Sequence, residues 1–232
     1  MFTKYFNTLS KTDLFKEIAP DELHTMLECL QPKIRNYYKN DYIIIAGDTF
    51  EAVGVVLKGK ATVSKENAAG DRSVMTRLEP GDIFGEIVAF STQSTWPATV
   101  QAEEACTVFF LPRGKIIGEC PKMCNCHRVL IRNFLKIVSE RALLLNRKVE
   151  YLTIKSMRGK ISVYLLEQYQ KTGNPNIILP LNRNQLADFL NVSRPSMSRE
   201  LCNMRDEGVI DFHLTAFKLL DILALKAMSN GS

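Results

Sequence analysis

Three histidines serve the whole 232-residue chain, and none of them (His24, His127, His213) falls in the glycine-punctuated stretch from Ile34 to Leu111. A catalytic β-roll that holds a metal on paired strand histidines therefore has no ligands there, and a haem has no axial imidazole in that stretch. No run approaches 18 uninterrupted apolar residues, and no charged segment leads into an apolar run near Met1. Neither a membrane span nor a signal peptide is expected, which points to a cytoplasmic protein without a membrane partner. Charge of one sign is modest as well. A net charge of +5 with a pI near 8.8 permits a polyanionic partner without demanding one. Six cysteines in a chain of this length do not make a small disulfide scaffold. In a reducing compartment they are expected to be thiols unless a metal or redox role holds them.

What is present is ordinary for a soluble globular chain, 46% hydrophobic and 24% charged, with room for one large or two ordinary domains. The most informative stretch is Leu181–Asp206, LNRNQLADFLNVSRPSMSRELCNMRD. Leu181, Leu186, Phe189 and Leu190 recur at helical spacing behind a polar start, Asn182, Arg183, Asn184 and Gln185. Asn191, Val192 and Ser193 form a turn. Ser193 suits the N-cap of a second helix, and Pro195 suits its first turn, where an N–H would go unpaired in any case. Met197, Leu201 and Met204 fall on one face of that helix, leaving Arg194, Ser196, Ser198, Arg199 and Asn203 for the others. This is the pattern of a helix-turn-helix whose second helix enters a DNA major groove about 12 Å wide. The alternative is a surface helical hairpin with solvated arginines.

Upstream, Leu23, Met26, Leu27 and Leu30 form the apolar stripe of a helix opened by Pro20-Asp21-Glu22. From Ile34 to Leu111, short β-branched and aromatic runs are broken at Gly47-Asp48, Gly59, Gly70-Asp71 and Gly81-Asp82. Spacing of this kind predicts a small antiparallel sandwich or barrel, a β-roll. A long amphipathic helix is predicted from near Arg128. Its seam, Leu130, Phe134, Ile137 or Val138, Arg141, Leu145, Lys148 and Leu152, would pair with a second copy, and Leu135, Ala142, Leu143, Leu144 and Val149 supply apolar residues off that seam. Packing on its own domain is the alternative. A further helix opens at Ser156 and ends at Lys171-Thr172-Gly173-Asn174-Pro175. Asn176–Leu179 reads as a strand, and Gly208-Val209-Ile210 with Phe217-Lys218-Leu219 as a wing hairpin. From Thr153 onward ten Lys and Arg stand against seven Asp and Glu, net +3.

In this order and spacing, LFKEIAPDEL, VVLKGKATV, LEPGDIFGEI and NQLADFLNVSRPSMSREL resemble the CRP/FNR family of bacterial transcription regulators over nearly the whole chain. The expected fold is α+β: an N-terminal antiparallel β-roll of the cyclic-nucleotide-binding type (1–127), a long dimerisation helix (128–155) and a C-terminal winged helix-turn-helix domain (156–232). The resemblance implies a homodimer on a palindromic double-stranded DNA operator, with RNA polymerase as a further partner and no enzymatic activity. It assigns Arg199 to a guanine edge, and Arg194 and Ser198 to bases or neighbouring phosphates, with Ser196 on the same helix. Asn182, Arg183, Asn184 and Ser193 are assigned to the phosphate backbone, which sets register without reading sequence. Where many members carry a glutamate that accepts a hydrogen bond from cytosine, this chain has Pro195, which cannot accept one. Its operator should therefore differ at that base pair.

A second departure concerns the effector. Gly85-Glu86 matches the family, but the Arg-Ser or Arg-Thr pair that binds a cyclic phosphate is replaced by Trp96 and Pro97, followed by Ala98 and Thr99. An indole has neither the charge nor the fork of a guanidinium. The expected effector is thus an unidentified small molecule other than cyclic AMP, in a flatter apolar cavity with Glu86, Asn146 and the neighbouring Leu145 at its edge; alternatively Trp96 fills the space itself. Cys120, Cys124, Cys126 and His127 form the densest thiol cluster. Their spacing matches no standard motif, so a metal is not assigned and neither haem nor an iron–sulfur cluster is expected, though a redox- or metal-sensing regulator using these cysteines stays open. A β-roll enzyme and an architectural DNA-binding protein are the remaining alternatives.

Overall fold

The structure, a computed structural model, describes residues 3–67, 69–117 and 125–229. It divides into two compact units, Met1–Glu140 and Arg141–Ser232. The division falls inside the long helix, between Glu140 and Arg141.

The first unit begins with α1 (Phe6–Leu9) and α2 (Pro20–Leu30). Pro20 stands at the start of α2, Asp21 and Glu22 sit at the positive end of its dipole, and the stripe Leu23, Met26, Leu27 and Leu30 is wholly buried. Each such leucine contributes about 1.5–3 kcal/mol relative to an exposed one. The strands follow: β1 (Lys33–Tyr37), β2 (Tyr42–Ile44), β3 (Ala52–Lys58), β4 (Ala61–Glu66), β5 (Arg72–Leu78) and β6 (Ile83–Phe84), then the short α3 (Glu86–Ala89), β7 (Thr99–Ala102), β8 (Cys106–Pro112) and α4 (Arg113–Ile117). All pairings within the unit are antiparallel, in two sheets ordered β1-β8-β3-β6 and β2-β7-β4-β5. Gly47, Gly59, Gly70 and Gly81 all hold positive φ at the turns between strands, as the spacing predicted.

The near-continuous apolar runs AVGVVLK and CTVFFLP have a plain cause. β3 and β8 are buried on both faces: Val53, Val55, Phe109 and Leu111 meet α2 in one core, while Val56 and Val108 meet Val63 and Val100 of the second sheet in another. A strand covered on both sides loses the polar-out alternation.

The long helix α5 spans Asn125–Thr153, beginning three residues before Arg128 and taking in Cys126 and His127. Its expected seam is corrected by the structure. Leu130, Phe134 and Ile137 are buried in the first unit's own core, so these three positions pack at home and do not face a second copy. Asn133 fixes this half of the helix by donating to the backbone carbonyls of Leu14 and Lys16 at 3.2 and 2.7 Å. Several of the apolar residues left exposed belong to a neighbouring stripe, while Leu143 and Leu144 are exposed off it. Ile131, Leu135, Val138, Ala142, Leu145, Val149 and Leu152 follow one another in alternating steps of four and three, and Leu135, Leu145, Val149 and Leu152 are all more than half exposed.

The second unit continues with α6 (Met157–Thr172), β9 (Asn176–Ile178), α7 (Arg183–Leu190), α8 (Arg194–Asp206), β10 (Ile210–His213), β11 (Ala216–Leu219) and α9 (Ile222–Ser229). Ser156 caps α6, its Oγ accepting the Gly159 N–H at 3.0 Å. β10 and β11 form the expected wing hairpin, and β9 adds a third antiparallel strand. A separate core gathers Tyr151, Ile161 and Leu165, the inner faces of α7 and α8, and Leu225 of α9, which packs on α6.

A candidate nucleic-acid interface

α7 and α8 are shaped by caps that the sequence specifies locally. Asn182 and Gln185 make a reciprocal capping box: Asn182 Oδ1 accepts the Gln185 N–H at 3.0 Å, and Gln185 Oε1 accepts the Asn182 N–H at 2.9 Å. Asn191 ends α7 in the left-handed conformation, a residue type that tolerates it. Ser193 then caps α8, accepting the Ser196 N–H at 3.3 Å, with Pro195 in the first turn. Met197, Leu201 and Met204 turn inward against Leu186, Ala187 and Leu190. The outward surface of α8 therefore carries Arg194, Arg199 and Asn203, with Ser196 and Ser198 half-buried beside them and Asn184 exposed on α7. Ser196 Oγ lies 2.7 Å from Ser193 Oγ and 3.4 Å from Arg199 Nη2, so the hydroxyls and the guanidinium form one polar group at the start of the helix.

Long-range braces, invisible to local sequence patterns, fix α8 in place. Arg158 of α6 forks onto Glu200 of α8 and Glu207, which caps its C-terminus, reaching Glu207 at 2.7 and 2.8 Å and Glu200 at 2.5 Å; these bonds, Glu207 first, push its pKa further up and keep it charged. The buried Lys160 donates to the carbonyl of Leu190 at 3.1 Å, satisfying the end of α7 just before the turn. Tyr151, at the end of α5, packs on Phe189 of α7 with ring centroids 5.1 Å apart, and Tyr164 stands 5.6 Å from the same ring. Arg158 lies 42 and 49 residues from its partners, and no local periodicity reports a pairing of that reach.

Arg183 leans on the wing. Its guanidinium lies 4.7 Å from the ring centroids of both Phe212 and Phe217, which stack on each other across the wing at 5.4 Å. It is half-buried there, and loss of solvent pulls its pKa down. Arg183 thus joins the first helix of the hairpin to the wing through cation–π contacts.

In the first unit the expected effector residues take individual places in the fold. Trp96 is 4% exposed and does not line an open cavity with Pro97, which is itself exposed. The indole packs against Phe50 at 5.8 Å, and Phe50 in turn meets Phe84 at 6.1 Å and Phe110 at 6.2 Å. The indole thus belongs to a cluster of large rings that pack on one another, the arrangement in which Trp96 itself fills space between the sheets. Gly85 serves the same packing. With φ +88°, it leaves no room for a Cβ, which would collide with the Phe50 ring and come within 2.7 Å of the Ala52 carbonyl. Glu86 is buried at the start of α3, Ala98 is buried, and Thr99 Oγ1 accepts the Ala46 N–H at 3.2 Å. Leu145 and Asn146 lie exposed on the part of α5 that belongs to the second unit. The first unit holds a cleft of about 410 Å³ bounded by α3, α4 and the first half of α5, with Glu86 in its lining, and one of about 240 Å³ between β1 and β2.

Of the cysteine cluster, Cys120 and Cys124 lie outside the described residues. Cys126 is buried in the first core. His127 is buried beside it, its pKa lowered by desolvation against a hydrogen bond to the Lys115 backbone. Among the described residues, no group of three or more His, Cys, Asp or Glu is placed to hold a metal ion. Burial pushes the Cys106 thiol up to about 11, far from a reactive thiolate. Among the described residues, no helix is long and apolar enough to cross a membrane.

A β-roll, a long helix and a winged helix-turn-helix are the parts of a DNA-binding transcription regulator. Residues 34–120 match the cyclic nucleotide-binding domain family, and residues 159–228 match the Crp-like helix-turn-helix domain family. The chain is 23% identical over 199 residues to the Cyclic AMP receptor protein of Thermus thermophilus, covering 85% of this chain and 87% of the relative. It is 25% identical over 182 residues to the Transcriptional activator protein FnrL of Cereibacter sphaeroides, covering 76% and 71%. Its fold matches the crystal structure of the Thermus thermophilus Catabolite Activator Protein with a TM-score of 0.54 at 21% identity, covering 95% of this chain and 99% of that one. The protein belongs to the CRP/FNR family of transcription regulators.

Proposed function

We propose that the protein is a homodimer that binds a palindromic operator sequence-specifically and is controlled by a small molecule other than cyclic AMP. The observation that carries the DNA reading is the outward surface of α8, where Arg194, Ser198 and Arg199 stand over a helix face anchored by Met197, Leu201 and Met204. Arg199 takes a guanine O6/N7 edge, and Arg194 and Ser198 take bases or adjacent phosphates. Asn184, Ser193 and the unused amide N–H groups of Asn182 hold the backbone, while Arg183 does so only from its position against the wing. Selection of bound duplexes from a random pool tests this reading. A two-fold symmetric consensus supports it, and recovery of no preferred sequence overturns it.

Dimerisation is supported by the heptad stripe Ile131, Leu135, Val138, Ala142, Leu145, Val149 and Leu152 on α5, exposed at Leu135, Ala142, Leu145, Val149 and Leu152 and partly buried at Ile131 and Val138, since an apolar 4-3 repeat buries itself best against a like helix. Replacing Leu145 and Val149 together by Glu should leave a monomer in sedimentation and abolish operator binding. Retention of the dimer would reject the stripe as the interface. The effector reading rests on Trp96: one relative is named a cyclic AMP receptor, but here Trp96 and Pro97 stand where the family resemblance expects the phosphate-binding pair, and Trp96 packs on Phe50. Calorimetry with cyclic AMP should show no binding, and a saturable site would overturn the argument. RNA polymerase is the partner through which such a regulator would act on transcription, and the protein is not an enzyme on this reading.

A further inference from the structure

β1 breaks the alternation that a two-sheet roll requires. Directly opposed residues of an antiparallel pair project to the same face, and the register places Lys33 opposite Phe110, Arg35 opposite Val108 and Tyr37 opposite Cys106. Val108 and Cys106 are buried in the core between the two sheets, and Phe110 and Tyr37 pack on it. Lys33 and Arg35 therefore project on the inward side of the strand, while Ile34 turns the other way onto the helical core. Two cations on the core-facing side of a strand depart from apolar-in patterning, and such departures mark functional positions or protected edges.

The cleft they enter has a volume of about 240 Å³ and is walled by Lys33, Arg35, Tyr37, Ile43, Phe50 and Phe110. That exceeds the ~150 Å³ of an apolar cavity that takes a benzene ring. Among the described residues, no ion pair engages Lys33 or Arg35. The acidic residue at the cleft, Asp48, has its carboxylate turned to the Ile45 N–H at 3.2 Å, so the site retains an excess of one positive charge. The Phe50 and Phe110 rings, in edge contact at 6.2 Å, present an apolar wall beside the cations. Burial raises the pKa of the Tyr37 phenol, against the hydrogen bond and charge of Arg35, so it stays a neutral donor.

We propose that this cleft binds a small organic anion, a single carboxylate on a flat apolar ring, with Arg35 and Lys33 taking the carboxylate and Phe50 and Phe110 taking the ring. The Arg35 fork supplies paired donors that match a carboxylate, and Lys33 adds a point charge. The site is independent of the DNA-binding reading, and either can fail without the other.

Benzoate titrated into the full-length protein tests the proposal. The single tryptophan, Trp96, lies 5.8 Å from Phe50, so its emission reports occupancy, with calorimetry as the second readout. One saturable site per chain is expected, weakened about tenfold or more in the Lys33→Gln/Arg35→Gln variant and to a lesser degree in Arg35→Lys, which keeps the charge but loses the fork. Benzyl alcohol, the neutral analogue, should bind about tenfold more weakly than benzoate. Lys33 and Arg35 are exposed, so both variants should unfold at the wild-type temperature. Absence of saturation with benzoate, equal affinity in the double variant, or inorganic phosphate binding as tightly as benzoate would overturn the proposal. The first two results would leave the inward charges as protection of the β1 edge, and the third would leave a site for charge alone.

Discussion

The interior of the roll and the scaffold behind the reading helix solve the same positioning problem by different means. In the first unit, Phe50, Phe84, Phe110 and Trp96 pack ring against ring between the sheets, and Trp96 Nε1 finds no hydrogen-bond partner among the described residues. In the second, α8 and the wing are held by directed cationic contacts: Arg158 to Glu200 and Glu207, Lys160 to the Leu190 carbonyl, Arg183 to Phe212 and Phe217. Ring packing excludes water but fixes orientation loosely, whereas a fork or a capped carbonyl fixes distance and angle. A helix that must present side chains to a groove at a fixed register needs the second kind of restraint.

The largest effect that would sharpen this contrast comes from Trp96→Ala. Removing a buried indole should cost about 3–5 kcal/mol, lowering the unfolding transition of the first unit while leaving that of the second in place. Scanning calorimetry that showed both transitions falling equally would break the contrast. Next is Arg199→Ala, expected to cost about 1–3 kcal/mol on the selected operator, to relax specificity at one base pair, and to change random-duplex binding little. Equal losses on both duplexes would remove Arg199 from base readout.

A smaller change is expected from Arg183→Gln. Losing two cation–π contacts costs about 1 kcal/mol, loosens the wing, and weakens selected and random DNA together. Faster amide exchange in β10 and β11, partly rescued by Arg183→Lys, would mark the residue as a positioning group; unchanged exchange with the same binding loss would return it to a plain phosphate contact.

The smallest effect concerns His127. Burial lowers its folded-state pKa below the unfolded value of about 6.5, so the unfolded chain binds the proton more readily. The first unit should keep its full stability above about 6.5 and lose part of it as pH falls toward the lower folded pKa. His127→Gln should flatten that dependence, measured by thermal unfolding across the range, and an unchanged slope would assign the acid sensitivity elsewhere.

Much of the fold was legible because its signals are local. The glycine spacing located the turns of the roll, Pro20 and Ser156 located helix starts, and the stripe of Met197, Leu201 and Met204 located the inner face of α8. The helix seam was misread for an equally physical reason. α5 carries two apolar stripes, and periodicity alone does not tell which one faces the home core; contact with Leu14 and the backbone near Lys16 settles it for Leu130, Phe134 and Ile137. Trp96 is visible in the sequence as a departure from the phosphate-binding pattern, yet its packing on Phe50, 46 positions away in the chain, is set by the tertiary fold.

The sequence by itself determined where the helices, turns and caps fall and which side chains of α8 are available to DNA, because hydrophobic period, N-caps and glycine dihedrals act over a few residues. Tertiary structure alone decided that Arg183 leans on the wing, that Arg158 braces the reading helix, and that Lys33 and Arg35 face a cleft. Those contacts join residues separated by tens of positions, and their partners are chosen by sheet register and helix packing, which no local pattern encodes.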